Sequence, residues 1–384
     1  LRTRERRAIV EGPFIGAVES YPPIHVDSPF PEHPVTQDDI ARALGIARST
    51  VSRALRGNPR IPAAHRQAIL AKAQAMGYRP NPMATALSCQ RQARGRQTFQ
   101  STLAWINAWR DPAQLRGYQL FDLYWQGAQK AAERMGFHLE EFRLDAGMTL
   151  DRLGGILKAR GICGILMPPV GDCPVDWEHF DWQDFSAVRL YRGEEHETLL
   201  HCVVSDQVHN TLLAFDRMQA AGYRRIGFVG SRWRTRLFGA GYYWAQHSIP
   251  NRAAQRRNTF PTQLPPLLFA KTDPPFEEAN RRAFLKWLKQ CKPDAILTET
   301  PGVPDWLAQA GIQVPEEIAL ATLNLHDSPL RAGIDQNPEE IGRVAVLVLN
   351  SLINDYDRGI PPIHREIAIK GSWVDGASLP KQGS

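Results

Sequence analysis

At 384 residues the chain is too long for one compact core and fits one small domain with one large one, or two of middling size. Its 43% hydrophobic and 22% charged residues exclude a wholly disordered or collagen-like chain, and no run approaches the roughly 18 to 20 apolar residues of a membrane span, Val344 to Leu349 being the best candidate. The net charge of +6 points to an anionic partner and sits at one end: between Val35 and Arg96 eleven basic side chains face only Asp38 and Asp39, and the remainder is nearly neutral.

Residues 1–34 carry Pro13, Pro22, Pro23, Pro29, Pro31 and Pro34 with little periodicity, which reads as an extended or disordered leader. Arg2, Arg4, Arg6 and Arg7 lead only into Ala8 to Val10, so no secretory pattern is present and export is not expected. From Val35 the pattern turns helical. Thr36 with Asp39 makes a capping box, Ile40, Ala41 and Leu44 form an apolar face, and Gly45 stops the helix. A second helix over Arg48 to Leu55 turns Val51, Ala54 and Leu55 inward and leaves Arg48, Ser49, Ser52, Arg53 and Arg56 around the other sides. After Gly57-Asn58-Pro59, a third helix over Ala63 to Met76 places Ile69, Leu70, Ala73 and Met76 at core spacing and ends at Gly77. Three helices with a three-residue turn between the first two make a helix-turn-helix head over residues 35–80. Residues 81–97 read as a hinge helix and linker: Asn81 can cap, Pro82 fits a first helical turn, and the segment is too short to be helical alone.

Residues 98–376 alternate short apolar runs with helical segments. Strands are expected at Leu103 to Ile106, Leu139 to Phe142, Gly164 to Met167, Ala187 to Tyr191, Ile226 to Val229, Ala295 to Thr298 and Ile318 to Leu323. Helices are expected at Phe121 to Met135, Asn210 to Ala221, Glu277 to Gln290 and Glu339 to Tyr356, several of them ending at Gly136, Gly161, Gly222 or Gly311. Such alternation implies α/β lobes with parallel sheets wrapped by helices, and the length allows two, with residues 377–384 as a tail.

The run Val35 to Leu55, with Gly57-Asn58-Pro59 and Gly77-Tyr78-Arg79-Pro80-Asn81-Pro82, resembles the DNA-binding head of the LacI family of bacterial transcription regulators. The resemblance implies that Arg48 and Ser49 lie at the positions where the family varies its base readout, that Arg53 is a second base reader, that Thr50 also binds DNA, and that Thr36 and Tyr78 contact phosphates. It also implies that the hinge with Ala84 and Leu87 folds in the operator's minor groove, Leu87 wedging between base pairs. Ala47 departs from the family's usual serine cap, a loss of about 1 kcal/mol of helix stability.

The body resembles the family's periplasmic-binding-protein-like domain at Gln126-Gly127 with Ala131-Ala132, Gly161 to Leu166, Ala221 to Gly230 and Val314 to Ile318. That resemblance implies two lobes closing on a sugar or related small polar effector. Arg236, opening Arg-x-x-Gly, is its expected arginine contact, and Tyr118, Phe121 and Asp122 are expected to line the cleft. Asn324 stands where the family usually has Asp, and Glu299-Thr300 replaces an Asn-Asp pair, which weakens a family-typical hydroxyl network. A homodimer on double-stranded operator DNA is expected, and a coiled-coil tetramer is not, since no heptads follow Trp373.

An enzyme on a similar fold and an exported solute-binding protein are the competing classes. The sequence holds no Gly-x-Gly-x-x-Gly, Gly-x-x-x-x-Gly-Lys-Ser/Thr, Gly-x-Ser-x-Gly or His-Glu-x-x-His pattern, and His209 reads as a first-turn residue of a helix capped by Asp206. Cys89, Cys163, Cys173, Cys202 and Cys291 make no Cys-x-x-Cys pair or metal-like cluster, so neither metal nor cofactor is expected and a reducing cytoplasm suits them.

Overall fold

A computed structural model of the chain describes residues 35–55, 61–78, 101–144, 147–171, 175–192, 200–232, 236–247, 263–270 and 277–382. The expected leader 1–34, the loop at Gly57-Asn58-Pro59 and the expected hinge over 81–97 lie outside the described residues. The chain divides into two compact units, a small one ending at Pro80 and a large one running from Asn81.

The small unit is three helices, α1 (Gln37–Leu44), α2 (Arg48–Leu55) and α3 (Ala63–Ala75). The box at the start of α1 is complete: the Asp39 N–H donates to Thr36 Oγ1 at 3.3 Å and the Thr36 N–H donates to Asp39 Oδ2 at 2.9 Å. Gly45, at φ +65°, reverses the chain where a side chain would be strained, so α2 starts three residues later. Ile40, Ala41, Val51, Ala54, Ile69 and Ala73 are buried together, with Leu44, Leu55, Met76 and Tyr78 packed half-buried around them. The inward positions expected from spacing are therefore the core, with Leu70 half-buried at its edge.

In the large unit β1 (Ser101–Asn107), α4 (Pro112–Gly117), α5 (Gln119–Arg134), β2 (Phe137–Arg143), α6 (Leu150–Ala159), β3 (Gly164–Met167), β4 (Ser186–Arg189) and β5 (His201–Ser205) build a first lobe. A second lobe follows: α7 (Gln207–Ala220), β6 (Ile226–Ser231), α8 (Arg236–His247), β7 (Leu267–Phe269), α9 (Glu277–Cys291), β8 (Ala295–Thr298), α10 (Val303–Gln309), β9 (Ala319–Thr322) and β10 (Gly333–Asp335). The chain then returns through α11 (Pro338–Asp355) and β11 (Glu366–Ile369) to the first lobe and ends with β12 (Ser372–Val374) in the second. The sheet orders are β11-β5-β4-β3-β1-β2 and β12-β10-β9-β8-β6-β7. Every neighbouring pair is parallel except β10 with the antiparallel edge strand β12. The expected parallel sheets are thus present, with one antiparallel strand added at an edge.

Each sheet is covered on both faces because successive strand residues point opposite ways. Leu103 and Trp105 pack towards α5 and α11, whereas Ala104 and Ile106 pack towards Leu153 and Leu157 of α6. Ile226 and Phe228 likewise meet α7 and α8, and Val229 meets α9 and α10. All seven expected strands and four expected helices of this unit are present, with ends shifted by up to three residues. The strands β5, β7, β10, β11 and β12 and the helices α4 and α8 lay outside the sequence reading, which marked α6 and α10 only by their glycine stops at Gly161 and Gly311.

Candidate nucleic-acid interface and effector cleft

The head buries one face of α2 through Val51 and Ala54 and leaves Arg48, Ser49 and Arg53 exposed on the rest, with Thr50 half-buried. Ala47, exposed, takes the cap position with its carbonyl alone: the N–H groups of Thr50 and Val51 both donate to it. Arg48 Nε lies 3.5 Å from Asp38 Oδ2 in α1, both side chains more than half exposed. Arg53 folds back along the helix, its Nε donating to the Ser49 carbonyl at 3.1 Å. Tyr78 is half-buried and its hydroxyl accepts from Gln37 Nε2 at 3.1 Å. The Thr36 hydroxyl is engaged within the capping box, also donating to Asp39 Oδ2 at 2.7 Å, and these bonds with Arg42 hold the Asp39 carboxyl below its usual range. Both guanidinium groups are exposed but held by weak surface partners, Arg48 by Asp38 and Arg53 by Ser49, and a freed arginine fork has the donor pattern that matches the paired acceptors of guanine. Ala84 and Leu87 lie outside the described residues.

In the body, each remaining candidate falls in a connection that leaves the carboxyl end of a parallel strand, where open α/β sheets hold ligands. Tyr118, Phe121 and Asp122 follow β1, Arg236 opens α8 after β6, Glu299 follows β8 and Asn324 lies two residues beyond β9. The Gln119 N–H of the first lobe donates to Asp327 Oδ1 of the second at 2.7 Å, so the connections after β1 and β9 meet across the cleft. Tyr118 is 46% exposed and rests against Trp109 and Phe121, with ring centroids 5.7 and 5.4 Å away. Phe121 itself is half-buried among Trp109, Tyr118 and Tyr124 and is a supporting wall rather than a surface. Asp122 Oδ2 accepts from Gln126 one turn on at 2.8 Å. Glu299 is pinned by the Ser231 N–H at 2.7 Å, and Arg236 is exposed.

Residues 36–81 match the model of bacterial regulatory proteins of the lacI family, and residues 215–379 match that of the periplasmic binding protein-like domain. The chain belongs to the lacI family. No curated protein matches it. Among solved structures it is similar to the transcriptional regulator CelR in complex with cellobiose, at 19% identity and a TM-score of 0.53, over 90% of this chain and 99% of that one. A transcription regulator-like protein from Staphylococcus haemolyticus gives 15% identity and a TM-score of 0.50 over 73% of this chain and 99% of that one. A LacI transcriptional regulator from a Rhodococcus species gives 15% and 0.50 over 73% and 98%. Identities this low establish the shared fold. The lacI-family head makes this chain a DNA-binding transcription regulator, and its body is the family's effector-binding domain.

Further polar groups of this lacI-family regulator stand at the same strand ends. Arg189 closes β4, buried and 5.2 Å from the Tyr191 ring. Thr300, also buried, follows Glu299, and its hydroxyl has no hydrogen-bond partner among the described residues. His326 Nε2 lies 3.0 Å from Asp335 Oδ1. Expecting ligand contacts at the end of every parallel strand would have found Arg189, which the sequence reading missed, whereas Thr300 stood out there only as half of the pair replacing Asn-Asp. The reach of Asp327 to the first lobe carries no local signal, because Gln119 is 208 residues away. No group of His, Cys, Asp and Glu suited to a metal ion occurs among the described residues, and no helix there is long and apolar enough to cross a membrane.

Proposed function

We propose that the regulator represses transcription in the cytoplasm as a homodimer on a near-palindromic operator, and that a small sugar-like effector held between its lobes sets its operator affinity. The observation that carries this reading is the exposed face of α2, where Arg48, Ser49 and Arg53 stand outward on a helix whose other face is core. Arg48 and Arg53 read base edges with Ser49 and Thr50 beside them, Thr36 and Tyr78 contact phosphates, and Ala84 and Leu87 belong to a hinge helix in the minor groove. In the cleft Tyr118 offers a ring face, Asp122, Glu299 and Asn324 offer polar groups, Phe121 backs the wall, and Arg236 donates from the start of α8. CelR holds cellobiose, which supports a sugar-like ligand here. Neither catalysis nor a cofactor enters this role.

Selection of operator sequences from random duplexes by the full-length protein, followed by gel shifts with a panel of sugars, tests the reading. A two-fold symmetric site should emerge and one sugar should change its affinity. Arg236→Ala should then abolish the sugar's influence while leaving sugar-free DNA affinity nearly unchanged, because a ligand acts only through its different affinity for two states. Binding that follows salt alone, with no sequence preference, would remove the proposal.

A further inference from the structure

The contact between Asp327 and the start of α5 reaches beyond ligand binding. Helix α5 begins without a cap of its own, since Tyr118 gives no side-chain hydrogen bond to the first turn. The Gln119 N–H is satisfied from the facing lobe, by Asp327 Oδ1 at 2.7 Å. A carboxylate at a helix start is favoured both by the free N–H groups and by the positive end of the helix dipole. The carboxylate is also aimed from behind. Asn324 Nδ2 donates to its Oδ2 at 3.0 Å, while Asn324 Oδ1 accepts the His326 N–H at 3.2 Å and the Asn324 N–H donates to Thr322 Oγ1 at 3.1 Å. That set of bonds commits most of the Asn324 amide to holding Asp327, so an effector meets only what remains of it. The negative charge also reaches the buried Tyr124, whose hydroxyl is held above its usual range by burial and by Asp327.

The chain itself crosses between the lobes three times, at 205–207, 335–338 and 369–372, along β5, β10, β11 and β12. The contact at α5 is elsewhere: α5 follows β1, which stands four strands in from β11. We propose that Asp327 is an interlobe latch, a cap supplied by the second lobe to α5 of the first, which draws the cleft towards closure before any effector enters. The latch is independent of which effector the cleft takes. It biases the equilibrium on which an effector acts, so ligands that keep Asp327 on α5 favour the closed form and ligands that occupy the Gln119 N–H favour the open one.

Two substitutions remove the contact from opposite sides. Asp327→Ala removes the acceptor. Gln119→Pro removes the donor at little cost to the helix, because proline suits the first helical position and Tyr118, at φ −85° and ψ 117°, already has the extended backbone that a residue before proline needs. The reading is the distance, by double electron–electron resonance, between spin labels on noncanonical residues at positions 143 and 270 of the full-length, effector-free chain. Both positions are exposed, and they end β2 and follow β7, the strands farthest from the crossings. Each variant should raise the open-to-closed ratio on the order of tenfold, the effect of losing one charge-assisted hydrogen bond. The double variant should open no further than either single one. A wild-type distance distribution in Gln119→Pro overturns the latch, whether Asp327→Ala opens the cleft or leaves it unchanged. Should Asp327→Ala fail to fold, Gln119→Pro decides alone.

Discussion

At the start of α2 the Arg48 guanidinium shares Asp38 with water, both side chains being more than half exposed at a separation of 3.5 Å. Such a pair is worth little in solution and exchanges readily for a better acceptor. In the proposed base-reading role the N7 and O6 of guanine supply that acceptor, since both lie in one plane at the spacing of the arginine fork. Arg48→Ala should therefore relax the preference at one operator position and cost about 1 to 3 kcal/mol there. The check is a binding series in which that base pair is varied. An equal loss on every sequence would put Arg48 on a phosphate instead. The same residue scale shows which contacts a sequence reveals. Thr36 and Asp39 are three residues apart and their reciprocal bonds follow from spacing alone. Glu299 with Ser231 is a pairing that only the folded second sheet creates.

Between elements, the approach of α5 to α11 decides whether the first lobe can form. Gly127 and Gly342 let the two backbones touch: a Cβ on Gly127 would lie 1.9 Å from the Glu339 carbonyl oxygen, and one on Gly342 would lie 1.9 Å from that of Tyr124. Ala128, Ala131 and Ala132 continue the small-residue face against Ile341, Ala345 and Val346. Neither clash can be relieved by a rotamer, because the obstructing atoms are main chain. Gly342→Ala should lower body stability by about 3 kcal/mol, the upper end of overpacking costs. Urea unfolding of the full-length protein measures it, and a midpoint unchanged from wild type would mean the helices slide apart without loss. The Gln126-Gly127 and Ala131-Ala132 pairs were visible in sequence as a family resemblance, but not their partners on α11. Elements were legible where the apolar period was strong. β11 is an edge strand with no buried residue, β12 has three residues, and α6 and α8 each carry two glycines, so neither alternation nor helical periodicity rises above its surroundings.

Across the whole body, the three crossings between the lobes behave as one hinge because side chains tie them to each other. Asn210 is fully buried at the start of α7. Its Nδ2 donates to Ser205 Oγ, at the end of β5, at 2.9 Å, and its Oδ1 accepts the Gly371 N–H, before β12, at 2.7 Å. Asn337, entering α11, donates through Nδ2 to the Lys370 carbonyl at 2.9 Å. The first crossing is thus bound to the third through Asn210, and the second to the third through Asn337. In the proposed closure, rotation of one lobe would turn all three together, which favours a choice between two arrangements over continuous flexing. Asn210→Ala breaks the first of these ties and leaves the Ser205 hydroxyl and the Gly371 N–H without that partner in a crowded place. The cost should be roughly 1 to 3 kcal/mol, or a fall in melting temperature of about 2 to 4 °C per kcal/mol for a domain of this size. Its signature should go beyond stability. With the Asn210 tie cut, the first crossing is held to the third through main-chain bonds such as the Asp206 N–H to the Ile369 carbonyl at 2.8 Å, and the same spin-label distance should broaden into intermediate values instead of shifting between two. Calorimetry gives the first number and the width of the distance distribution gives the second. A variant that melts lower yet keeps two sharp distances would show that Asn210 stabilises the body without defining its hinge.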